Sequence, residues 1–157
     1  MSVKELQYSL HAIKKLTSYI NSPDILPVKN ISKEKIGVRK GFQLSFDYLT
    51  GILTIKVLID FLCRADAPEP VMLFGSTILC EFKFLNYEKI IKKITDNQVD
   101  IPDGLMVTLM SVSYSTCRGI LAVLTTGTDY SNVLLPLVNP DEFKDMLQSI
   151  QVEKKPE

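Results

Sequence analysis

The chain has 157 residues, 46% of them apolar, with no tryptophan and with eighteen basic side chains against eighteen acidic ones. A net charge of zero gives no electrostatic ground for binding nucleic acid or an anionic membrane, and the apolar share excludes a disordered chain. One domain with one core is expected, because a fold of this length buries roughly 70% of the surface its unfolded chain exposes.

Lys4 and Glu5 precede any apolar run, so the start reads as neither a secretory signal nor a targeting helix, and a cytoplasmic location is expected. Cys63, Cys80 and Cys117 are odd in number and far apart, which suits reduced core thiols better than a disulfide framework or a zinc site.

Residues 5–20 carry two patterns at once. Leu6, Leu10, Ile13, Leu16 and Ile20 recur at helical spacing, while Leu6, Tyr8, Leu10 and Ala12 alternate as in a strand; periodicity leans slightly to helix. Residues 22–40, with two prolines and a surplus of lysine and arginine, read as a crossover loop. From residue 41 to about 50, Phe42, Leu44, Phe46 and Tyr48 alternate with Gln43, Ser45 and Asp47, a strand with one wet face. Thr50-Gly51 supplies a turn. Leu53, Ile55, Val57, Ile59 and Phe61 then continue on one face of an antiparallel partner at 52–64. After a reversal at 65–70, Phe74, Ile78, Cys80, Phe82 and Phe84 mark a further strand at 71–85. A short helix is expected over 86–96, begun by Asn86, with Tyr87, Ile90, Ile91 and Ile94 inside and Lys89, Lys92 and Lys93 outside.

Pro102 opens a longer helix, 102–126, in which Arg118 is the one charged side chain between Asp103 and Asp129. A helix covering one sheet should keep a charged face to water, so this one is expected to be buried on more than one side. Arg118 and seven serines and threonines make it a poor membrane span. A subunit interface through Leu105, Leu109, Val112, Ser115, Arg118, Gly119 and Ala122 fits better, since obligate oligomers bury ~2,000 Å² or more of such surface. Residues 133–138 are apolar without a break, yet Pro136 keeps them from being helical. Asn139, Pro140, Asp141 and Glu142 begin a last helix at 140–151, with Phe143, Met146, Leu147 and Ile150 on its inner face.

Chemistry is sparse. His11 is the single histidine, no metal-ligand spacing occurs, and the seven glycines form no phosphate cradle. No enzyme, metal or cofactor is therefore expected. Arg118 reads as a structural cation that pairs with a carboxylate across an interface or bonds the carbonyls of a neighbouring loop.

Several strings, in order, resemble the SecB family of export chaperones. They are Tyr8-Ser9-Leu10-His11-Ala12-Ile13 running on to Asn21-Ser22-Pro23, the triplet Leu79-Cys80-Glu81, Arg118, Gly127, and Leu135-Pro136 followed by Asn139 and Asp141. The resemblance implies a strand, not a helix, at 5–20, in a single α+β domain over 1–157: a four-stranded antiparallel sheet with helices packed on one face. It implies a homotetramer, a dimer of dimers with long helices between sheets, and an ATP-independent holdase for unfolded polypeptides in protein export. Its client grooves would use the first strand, Ile25, Leu26, Val28, Tyr130, Val133, Leu134, Leu135, Pro136, Leu137, Phe143 and Leu147. Leu79 and Glu81 fit the family's docking surface for the SecA motor, but Thr17 and Asn21 stand where that surface is acidic. A SecB-like chaperone of a toxin–antitoxin system, or a non-catalytic scaffold with one dedicated partner, are the alternatives. Neither nucleic acid nor membrane insertion is implied.

Overall fold

The computed structural model describes residues 7–22, 33–63, 69–95 and 98–149. It is an α+β fold with a four-stranded antiparallel sheet and two helices. The strands are β1 (Gln7–Ile20), β2 (Ile36–Asp47), β3 (Ile52–Cys63) and β4 (Val71–Leu85), in the spatial order β1-β4-β3-β2. Alternation in β3 drives Leu53, Ile55, Val57, Ile59 and Phe61 to full burial, facing Phe46 of β2 and Phe74, Ile78, Cys80, Phe82 and Phe84 of β4. Phe61 and Phe74, direct cross-strand partners, stack at 4.3 Å and fix that register.

Two expectations need correcting. β2 begins at Ile36, inside the stretch read as loop, because Ile36, Val38 and Phe42 already alternate toward the core; Arg39 and Lys40 obscure the pattern in sequence. The described part of the stretch expected as a helix over 86–96 contains no α-helix. Asn86 sits in the left-handed region (φ 56), a single 3-10 turn follows at Tyr87–Lys89, and the chain then makes a hairpin of β5 (Lys92–Thr95) and β6 (Gln98–Asp100). Ile90, Ile91, Ile94 and Thr95 are β-branched and stiff, so they resist a short helix. Tyr87 holds the turn instead: its hydroxyl donates to the Tyr48 carbonyl at 2.6 Å while Ile91 plugs the core and Ile94 stays exposed.

Residues 7–20 form a strand, as the family resemblance implied and against the helical lean. β1 pairs with β4 along its length, but the register shifts between Leu10 and Ala12 and again between Lys15 and Thr17, so His11 and Leu16 are bulged residues. Tyr8, Leu10 and Ile13 stand opposite Phe84, Phe82 and Cys80 and therefore share the helix-bearing face. The neighbours on β4 are buried, whereas these three remain nearly half exposed.

Helix α1 (Asp103–Thr125) lies across β3 and β4, with Met106, Leu109, Met110, Tyr114, Cys117 and Leu121 buried. By length and composition α1 is apolar enough to cross a membrane, yet this side of it is committed to the sheet. Helix α2 (Pro140–Ser149) reaches β2, where Phe143 meets Phe42 edge-on at 5.7 Å. Among the described residues no helix covers β1.

On the opposite face a single row crosses all four strands: Tyr19, Gly75, Asp60 and Arg39 are consecutive partners. The buried Asp60 carboxylate accepts from the Tyr19 hydroxyl at 2.8 Å and from Arg39 Nε and Nη2 at 3.0 and 2.6 Å. Burial, then Asp60, hold the Tyr19 phenol well above its ordinary value, so it stays a donor. Gly75 makes the row possible, since a Cβ there would lie 2.5 Å from the Ile59 carbonyl oxygen and 2.7 Å from Asp60 Oδ1. Gly75→Ala is expected to destabilise by about 1–3 kcal/mol, read as a lower denaturation midpoint with an unchanged denaturant slope.

Candidate functional site

The apolar linker at 133–138 takes no regular structure, so its carbonyls must find other partners. Two come from one side of α1. Arg118 Nε donates to the Leu135 carbonyl and the Tyr114 hydroxyl to that of Pro136, each at 2.8 Å. Arg118 thus takes the second of the two roles expected of it, bonding a neighbouring loop. Tyr114 was not singled out in the sequence; its place one helical turn before Arg118 is the signal that pairs them. Between the two bonds Leu135 is 2% exposed, while Leu134 and Leu137 stand out at 58% and 79%.

α2 closes over the same region. Asn139 Oδ1 accepts from the Asp141 amide at 3.1 Å, and Phe143 packs edge-on against Tyr114 at 5.9 Å. Lys40 reaches across from β2, 3.6 Å from the Glu142 carboxylate and 5.8 Å above the Tyr114 ring. At the start of the linker the Tyr130 ring lies 5.0 Å from that of Phe74, and its hydroxyl donates to the Asn21 carbonyl at 2.6 Å. Asn21 is held in turn by bonds to the Met72 and Leu73 carbonyls, so the chain leaves β1 beside the linker.

The residues expected to wall a client groove therefore separate. Leu134, Pro136 and Leu137 are exposed, and Val133 and Leu147 are half-buried against the core. Tyr130, Leu135 and Phe143 are instead buried in the core, a correction whose physical reason is packing: Tyr130 lies against Phe74, and Phe143 against Phe42 and Tyr114. Ile25, Leu26 and Val28 lie outside the described residues. The first strand, also expected to wall the groove, exposes Tyr8, Leu10, Ile13 and Leu16 along β1.

The expected interface divides in the same way. Val112, Ser115, Gly119 and Ala122 share the open side of α1 with Val123. Leu109 is fully buried against the sheet, Leu105 is half-buried and Arg118 turns to the linker. The open side carries no charge. Its polarity is further reduced because Thr108, Ser111, Thr116 and Thr126 spend their hydroxyls on the carbonyl four residues back, at 2.7 to 2.9 Å. Beneath, the thiols are inert: burial pushes Cys117 up to about 12 and raises Cys80 as well.

On the far face of the sheet Leu79 is half-buried, with Lys14 and Lys56 as its partners on the two neighbouring strands, and Glu81 is bound to Lys14 Nζ at 2.8 Å. The pairing neutralises the one carboxylate expected to dock a motor.

Burial, then Glu142, push the Tyr114 phenol from 10.0 up to about 12, with Arg118 opposing. A folded value above the unfolded one contributes stability that is complete below about 10 and is lost as pH rises toward 12. Stability measured by denaturant titration is expected to fall through that window, and less steeply in Tyr114→Phe. No protein-family model matches this chain, and no curated protein matches it.

Proposed function

We propose that the protein is a subunit of a homo-oligomeric, ATP-independent holdase that binds unfolded polypeptide, related in organisation to the SecB chaperones. The observation that carries this reading is the open side of α1: one apolar flank of a 23-residue helix, free of charge, beside an edge strand whose apolar residues nothing described covers. Surface of this kind is stable in water when copies of the chain cover it. Leu134 and Leu137 remain for clients. Hiding each one stabilises a complex by about 1.5–3 kcal/mol, so a few such contacts along one groove reach the ~8 kcal/mol of micromolar binding without reading a sequence.

The lysines beside Leu79 and the neutralised Glu81 favour clients delivered without SecA. Export and a toxin–antitoxin role remain the two settings for the same activity, and retention of SecA on the immobilised protein distinguishes them. A dedicated adaptor is the rival reading, since two outward leucines on a fixed linker also suit one partner.

The purified protein is expected to run well above 17.7 kDa in light scattering and to suppress aggregation of several unrelated denatured proteins at near-stoichiometric ratio without nucleotide. A monomer that is inactive in this assay ends the proposal, and activity toward one protein only selects the adaptor. Ser115→Glu with Ala122→Glu should shift the mass toward that of one chain while leaving the circular dichroism of the fold intact, because both positions face away from the core.

A further inference from the structure

We infer that Arg118 and Tyr114 are positioning residues for client capture, gripping two consecutive main-chain carbonyls of the linker so that Leu134 and Leu137 already project outward before any polypeptide arrives. The inference rests on the holdase reading and adds to it the device that readies the surface. An apolar segment with no sheet or helix partner would be expected to fold its leucines inward. Here the middle of the segment is fixed instead: Leu135 is seated in the core, Pro136 has its φ set by its ring, and the carbonyls of both are held at 2.8 Å from α1.

With those two residues immobilised, the leucines on either side have little choice of direction, and they are among the most exposed apolar side chains described. The donors suit a clamp. Arg118 presents its donors on a planar, rigid guanidinium, and the Tyr114 ring is wedged by Phe143 and Lys40, so the hydroxyl is aimed by packing rather than by the bond it makes. A surface set in advance spares the binding event the cost of ordering it. If release of the clamp leaves the projecting arrangement populated about a tenth of the time, the apparent Kd rises about tenfold.

The test pairs Arg118→Met, which keeps the aliphatic stem, with Tyr114→Phe, which keeps the ring. Each is made alone and together, beside Arg118→Lys, which retains a cationic donor. A spin label on Leu137→Cys reports the linker, selectively because Cys63, Cys80 and Cys117 are buried. Capture is measured as the Kd for a reduced, alkylated, permanently unfolded polypeptide, with assembled mass and thermal midpoint recorded for every variant.

The double variant is expected to keep its mass, to free the label and to bind about tenfold more weakly, with Arg118→Lys recovering part of both. A label as immobile in the double variant as in the parent overturns the inference, whether or not the parent binds unfolded chains. So does a freed label with unchanged Kd. A weakened Kd that tracks loss of mass or midpoint, with the label still immobile, also overturns it and assigns the two side chains to the fold alone. Absence of binding by the parent refutes the holdase reading instead, and the label still decides the clamp.

Discussion

Among the described residues two α-helices have the four strands of the main sheet to cover, and they cover three. A helix is about 10 Å wide and strands lie about 4.8 Å apart, so α1 spans β3 and β4 while the short α2 reaches β2 through Phe143. β1 is left with Tyr8, Leu10 and Ile13 uncovered on the face that bears the helices. The uncharged side of α1 belongs to the same shortfall. The described residues carry more apolar surface than the described elements hide, and both the proposed assembly and the proposed binding of unfolded chains are ways of hiding the remainder.

Much of the fold was legible because alternation and capping are local. β3 and β4 announced themselves through every-other-residue phenylalanine, isoleucine and leucine, and α1 and α2 through Pro102, Asn139 and Pro140. β1 was not, and the structure shows why. Its two bulges each advance the alternation by one residue, so that positions 8, 10, 13, 15, 18 and 20 share a face; spacings of two and three imitate a helix. The hairpin at 92–100 was missed for a related reason, since isoleucines at 90, 91 and 94 satisfy helical spacing while their branching opposes it.

The site was less readable than the fold. Apolar periodicity in α1 identifies a helix but cannot say which of its sides meets the sheet, and so Leu109 was grouped with Val112 although they end on different sides. The role of Tyr114 depends on a carbonyl 22 residues away, a separation that no local pattern encodes. Arg118 was more transparent, because a lone cation on an otherwise uncharged helix has to find oxygen somewhere, and it finds the Leu135 carbonyl in the proline-bearing segment.

The transverse row through Tyr19, Gly75, Asp60 and Arg39 bears on how the sheet assembles correctly. If β3 slid by one residue against its neighbours, Asp60 would swing into the phenylalanine layer, stripped of the guanidinium and phenol that make its burial tolerable. Misaligned sheets are thereby heavily penalised. One carboxylate acts as an alignment key for four strands, and it does so on the face opposite all the apolar surface that the rest of the molecule uses.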